Sequence, residues 1–249
     1  MIKAAIFDLG STLIAFQGEW PDVLERSTQA LIHSLLSNGV KLDGSGFAAA
    51  FREENDRYQR QRQIDHLERT TAFVLRQVLQ AQDVAEPTEE VLRLALRQMY
   101  AVSETKWQRV PQAEGVLETL RRQGLRLGLL SNAGDAENVD RLIDQAELRA
   151  HFDPIVISAV IGIRKPDRRA FAPILSAWRL HPAELVMVGD TLGEDILGAQ
   201  DCGIHQIWVR AHADPQAVAA FEGLVRPEMT AERLDEVPDA IVRMNGRLH

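Results

Sequence analysis

The chain has 249 residues, of which 45% are hydrophobic and 26% charged, the composition of an ordinary globular protein with ample length for a buried core. Its formal net charge of −8 opposes a general nucleic-acid-binding surface, and no apolar run approaches the ~20 residues that span a bilayer. A lone cysteine, Cys202, excludes an internal disulfide and fits a reducing compartment. The N-terminus lacks the signal-peptide pattern. A cytoplasmic protein with no membrane or nucleic-acid partner, monomer or homodimer, is the expectation.

The first predicted element is a buried strand over Ile2–Asp8, followed at once by the small residues Gly10, Ser11 and Thr12. From about 19 to 106 the pattern is helical. Leu24, Leu31 and Leu35 run up to Asn38-Gly39, and Phe47, Phe51 and Tyr58 share a helix face. Val74, Val78 and Ala81 make a third stripe, and Val91, Leu94, Ala95, Met99 and Val102 follow the N-cap candidate Thr88. This predicts about four inserted helices. Short apolar runs then alternate with helical stripes: LRLGLL (125–130), PIVIS (154–158), ELVMV (184–188) and IHQIWV (204–209). None alternates strictly, as expected for strands buried on both faces of a parallel sheet. Between them lie Val116, Leu117 and Leu120 before Gly124, then Val139, Leu142, Ile143 and Ala146 after the cap candidate Asp135. Phe171, Ile174, Leu175 and Trp178 form the next stripe, in which Pro173 must kink the helix or shift its start. A last helix is expected near Pro238–Met244. The predicted fold class is α/β, a doubly wound Rossmann-like parallel sheet core with a helical cap domain. The core takes residues 1–16 and 107–249, and the cap takes 17–106.

In such a sheet, ligands bind at the carboxyl ends of the strands. Asp8 closes the first strand. Ser131 and Asn132 follow LRLGLL; Gly189, Asp190, Thr191, Glu194 and Asp195 follow ELVMV; and Lys165 stands in the loop GIRKPD. Singly, each has a plain structural reading: Asp8 as a turn residue, Lys165 as a solvated charge, Asp195 as a first-turn acid favoured by the helix dipole. Their recurrence at successive strand ends favours a common site. Paired carboxylates suit a hard divalent cation such as Mg2+, and a hydroxyl, an ammonium and free backbone N–H groups suit a phosphate.

Asp8-x-x-x-Thr12, LLSN at Leu129–Asn132, Lys165-Pro166-Asp167 and VGDTLGED at Val188–Asp195 resemble, in order and spacing, the four motifs of the haloacid dehalogenase (HAD) superfamily. ILGAQDCG at Ile196–Gly203 is similar to the helix after that family's fourth motif, and the helical insertion resembles its α-helical cap (subfamily I type). The resemblance implies a hydrolase in which Asp8 attacks phosphorus and forms an aspartyl-phosphate. It implies that Ser131 bonds a phosphate oxygen, with Thr12 and Asn132 also on the substrate side, and that Lys165 neutralises the nucleophile and phosphoryl group. Asp8, the carbonyl of Gly10 and Asp190 would bind Mg2+, with Asp195 supporting through a water or Lys165. The implied substrate is a small phosphorylated metabolite.

Phosphatases of this family carry a second aspartate two residues after the nucleophile, and here that position is Gly10. Its loss removes general acid–base help, typically worth ~10²–10⁴-fold. Three readings follow: a slow or leaving-group-selective phosphohydrolase, which the otherwise intact set favours; a dehalogenase or phosphonatase; or a non-catalytic protein that binds a phosphate ester or a protein. Dehalogenases need no metal, which the retained Asp190 and Asp195 oppose, and a phosphonatase needs a distinctive cap lysine, which neither Lys41 nor Lys106 is. Arg52, Arg57, Arg60, Arg62 and Arg69 read as a solvated helix face with pairs such as Asp56–Arg60.

Overall fold

A computed structural model describes residues 1–247. β1 (Ala4–Phe7) leads into the Asp8 loop and β2 (Ile14–Phe16). The helices α1 (Trp20–Ser37), α2 (Gly44–Asp65), α3 (Thr71–Ala81) and α4 (Glu89–Glu104) come next, then β3 (Trp107–Arg109). The chain continues through α5 (Ala113–Arg122), β4 (Arg126–Ser131), α6 (Ala136–Gln145), β5 (Ile155–Ile157) and α7 (Ser158–Ile161). It ends with α8 (Ala172–Trp178), β6 (Leu185–Gly189), α9 (Leu197–Cys202), β7 (His205–Val209), α10 (Pro215–Phe221), β8 (Met229–Ala231) and α11 (Val237–Arg247).

The main sheet has six parallel strands in the order β5-β4-β1-β6-β7-β8. After β1 the chain builds outward to β4 and β5, then returns to add β6 on the other side of β1, so the topological switch falls beside β1. Helices cover both faces. Ala5 and Phe7 of β1 join one apolar cluster with Leu117, Leu120, Val139 and Ile143, whereas Ala4 and Ile6 join another with Phe171, Ile174 and Trp178. Burial on both faces is why these strands carry no polar alternation.

The four inserted helices bury a separate cluster, in which Leu31 and Leu35 of α1, Phe47 and Phe51 of α2, Leu75 and Leu79 of α3 and Leu92 and Ala95 of α4 meet. Thr70 and Thr88 cap α3 and α4, each hydroxyl accepting a backbone N–H of the first turn. No described helix is long and apolar enough to cross a membrane.

Three local features differ from the sequence reading, and a fourth, at Pro173, follows one of its two alternatives. The ribbon β2–β3, with Phe16 opposite Trp107, joins the insertion to the sheet; its strands are only three residues each, too short for a periodic signal. The edge strand β8 is equally short. Pro173 falls in the first turn of α8, where its missing N–H costs nothing, so the stripe begins one residue before the helix. Along α2, Arg57 pairs with Glu53 and Glu54; the expected Asp56–Arg60 pair is not formed.

Candidate active site

β1 lies between β4 and β6 in the sheet. Asp8 and Asp190, which follow β1 and β6, and Ser131, which ends β4, therefore converge at one carboxyl edge. After Asp8 the backbone turns tightly, Leu13 and Ile14 both donating to the Leu9 carbonyl. That turn brings the buried Thr12 hydroxyl to Asp190 Oδ1 at 3.3 Å. After Asp190 the segment Leu192–Ile196 winds as a π-helical turn, a geometry often found at functional sites. It folds the Asp195 carboxylate back against the strand end, where Oδ2 accepts the Thr191 N–H at 3.0 Å. Gly189 permits this approach: a Cβ there would stand 2.3 Å from the Asp195 carboxylate.

Lys165 fills the centre of the site. Only 1% exposed, its Nζ donates to Asp8 Oδ1 at 2.6 Å, to Asp195 Oδ1 at 2.7 Å and to the Leu130 carbonyl at 2.7 Å. All three N–H bonds of an ammonium are thereby used. Asn132 fixes the lysine's backbone: its Oδ1 accepts the Lys165 N–H at 2.9 Å, and its Nδ2 donates to the Lys165 carbonyl at 3.0 Å and to Glu194 Oε2 at 2.8 Å.

Burial dominates the electrostatics. It pushes the Asp8 carboxyl up to about 7 against the pull of Lys165, with Asp195 and Glu194 adding to the rise. Burial, then the charges of Asp8 and Asp195, hold Asp190 well above the usual carboxylate range. Burial likewise raises Asp195, although Lys165 opposes it. Burial disfavours the lysine charge too, but Asp195 and Asp8 outweigh it and keep the ammonium above its ordinary range.

These acids fit a divalent cation. Asp8, Asp190 and Asp195 each bring an oxygen within 4.8 Å of the others, and Lys165 pairs with Asp8 and Asp195, so that with all three ionised two negative charges stand in excess of the one ammonium. Buried charge without a partner is costly. Among the described residues the Asp190 carboxylate accepts long hydroxyl contacts from Thr12 and Thr191, both at 3.3 Å, so lone pairs remain for a hard ion. Asp195 has both oxygens committed to Lys165 and Thr191, which suits support of a neighbour better than direct ligation.

Of the residues singled out by sequence, Asp8, Thr12, Lys165, Asp190 and Asp195 form one connected group. Ser131 is buried at the end of β4. Asn132 is half-buried, and its amide bonds to Lys165 and Glu194. Gly10 is half-buried, and a Cβ built on it would meet the edge of the Trp107 ring at 3.5 Å. Sequence reasoning missed Glu68, Ser158 and Arg164. Arg164 donates to Glu194 Oε1 at 2.7 Å and to Glu68 Oε2 at 3.1 Å; its adjacency to Lys165 was the one signal available.

The model of the haloacid dehalogenase-like hydrolase family matches residues 2–203. The chain belongs to that family. Among its relatives, the phosphoserine phosphatase of Thermus thermophilus is 39% identical over 106 residues, 43% of this chain and 42% of that protein. The chain thus spans about two fifths of the length of this curated relative (42%). The bovine (Bos taurus) haloacid dehalogenase-like hydrolase domain-containing protein 3 is 27% identical over 218 residues, 84% of this chain and 82% of that one. The crystal structure of 2-haloacid dehalogenase from Pseudomonas syringae pv. Tomato DC3000 superposes with a TM-score of 0.69 at 22% identity, covering 98% of this chain and 100% of that one. At that identity the likeness establishes the hydrolase's fold.

Proposed function

We propose that this hydrolase is a Mg2+-dependent phosphohydrolase that acts on a small phosphorylated metabolite through an aspartyl-phosphate on Asp8. The observation that carries the reading is the Asp8–Lys165 pair at 2.6 Å beside the under-coordinated Asp190. Asp8, the backbone of Gly10 and Asp190 would hold the ion, with Asp195 bracing the group through Lys165; when bound, Mg2+ supplies positive charge to the phosphoryl oxygens. Lys165 neutralises the nucleophile and the incoming phosphoryl group, and the Ser131 hydroxyl, which has no protein partner among the described residues, hydrogen-bonds a phosphoryl oxygen. Thr12 and Asn132 serve by holding Asp190 and Lys165.

One carboxylate oxygen of Asp8 forms a bond to phosphorus while the bond to the leaving oxygen breaks, and that oxygen departs with the electron pair. Water then attacks phosphorus, releasing phosphate and restoring Asp8. Position 10 is a glycine with no side chain to donate, so the leaving oxygen receives no proton from that position. The preferred substrates are therefore esters or anhydrides whose leaving group departs readily as an anion. Residues 17–106 act as the cap over a core of 1–16 and 107–249. The phosphatase name of the Thermus relative supports the same class of substrate.

The same Gly10 also suits a halide leaving group, which needs no proton. A screen of phosphate release over many phosphometabolites, with Mg2+ and with EDTA, alongside halide release from 2-haloacids, decides. Mg2+-dependent phosphate release is expected; halide release without it would replace the reading, and silence in both would leave a non-catalytic phosphate-ester binder.

A further inference from the structure

A buried chain of polar side chains runs from the helical insertion to the back of Lys165, and the mechanism above uses only its last members. It begins at Glu68, between α2 and α3, whose side chain is 0% exposed. Glu68 Oε1 accepts a short hydrogen bond from the Tyr58 hydroxyl of α2. Its Oε2 accepts from Ser158 Oγ at 2.7 Å and from Arg164 at 3.1 Å. Arg164, with a side chain 5% exposed, donates onward to Glu194 at 2.7 Å. Glu194 accepts from Asn132 at 2.8 Å, and Asn132 clamps both backbone groups of Lys165.

The backbone reinforces the same contact. Leu67 and Ile163 form an antiparallel bridge. The Glu68 N–H donates to the Gly162 carbonyl at 3.0 Å, and the Arg164 N–H donates to His66 at 3.0 Å. A strap from the insertion is therefore paired with the segment that ends in the catalytic lysine. An unpaired buried arginine or carboxylate is expensive, so each member of the chain depends on the next for its charge balance.

We infer that Glu68 is a positioning residue: through Arg164, Glu194 and Asn132 it fixes the backbone of Lys165 and so ties the helical insertion to the active site. The kinetic consequence rests on the phosphoryl-transfer reading of Lys165; the structural link does not. Two measurements on the whole 249-residue chain separate them.

The first is hydrogen exchange of the Lys165 amide, whose acceptor is Asn132. In Glu68→Ala it should exchange at least about tenfold faster than in the parent protein, while amides of α11 keep their rates. Glu68→Asp, one methylene too short to reach Arg164, should lie between Ala and parent. Glu68→Gln keeps an oxygen for Arg164 and should recover most of the protection. If Glu68→Ala does not fold, the contrast between Asp and Gln carries the test.

The second is turnover of p-nitrophenyl phosphate with Mg2+, where Glu68→Ala should lose about tenfold or more in kcat with KM within about threefold, and Gln should rescue it. Unchanged Lys165 exchange in a folded Glu68→Ala or Glu68→Asp variant, or equal acceleration across α11, overturns the inference. So does an unchanged kcat in an active enzyme. If the parent protein fails to turn over any phosphate ester, the hydrolase reading falls, and the exchange result alone decides the link.

Discussion

Asp8 and Gly10, two residues apart, divide the chemistry between them. At Asp8, one strand end delivers a carboxylate to a buried ammonium that touches it at 2.6 Å. At Gly10 there is no side chain, and an aromatic edge lies 3.5 Å from where a Cβ would stand. That distance is ordinary van der Waals contact, so a larger residue fits if its outer atoms turn from the indole. Gly10→Asp should therefore fold and restore a proton donor. The gain in kcat/KM should approach the ~10²–10⁴-fold of general acid catalysis for alkyl phosphates and be much smaller for aryl and acyl phosphates, whose leaving groups need little protonation. A rate series over leaving groups of graded pKa checks this. Equal changes in both classes would show that proton donation does not limit the reaction.

Among the elements, β6 and the π-helical turn after it do the positioning. The strand ends in Gly189, which lets the turn press the Asp195 carboxylate against the sheet edge and leaves it 2.7 Å from Lys165. Gly189→Ala puts a methyl group 2.3 Å from that carboxylate. The turn must move, at a cost of about 1–3 kcal/mol typical of overpacking, and Asp195 loses its contact with Lys165. A denaturant midpoint lowered to match, with reduced activity in the fraction that remains folded, is expected; an unchanged midpoint would mean the turn yields freely.

The long elements were legible in the sequence because each carries a repeated signal. The four inserted helices show apolar stripes of several turns, and the strands beside β1 show apolar runs flanked by turn residues. β2, β3 and β8, of three residues each, lack the apolar run PIVIS that marked the equally short β5 and are held by pairing with neighbours. The acids were legible for a related reason, since Asp8 and Asp190 stand directly after recognisable strands and Asp195 lies in the turn that follows the second. The Glu68–Arg164 pair was not, because its members are 96 residues apart and neither stands at a strand end.

For the molecule as a whole, the buried acids of the site work against the fold above their ordinary titration range. Burial lifts Asp8 from the ordinary 3.8 to about 7, so between those values the folded, metal-free protein binds a proton that the unfolded chain does not. A raised folded-state pKa means that this group's contribution to stability falls as pH rises through that window. A divalent cation competes with the same proton and binds more tightly as pH rises. Added Mg2+ should therefore raise the melting temperature more at about pH 8 than at about pH 5.5. A shift that is larger in acid, or the same at both, would contradict the assignment of Asp8 and Asp190 to the ion.

The most direct test of the central claim is to trap the covalent species. Rapid quenching of the enzyme with a turned-over phosphate ester and Mg2+, followed by peptide mass spectrometry, should find the phosphoryl group on Asp8. It should be absent with EDTA and absent in Asp8→Asn, which should also release no phosphate. Phosphate release by Asp8→Asn at the parent rate, or a phosphoryl group on another residue, would contradict the account.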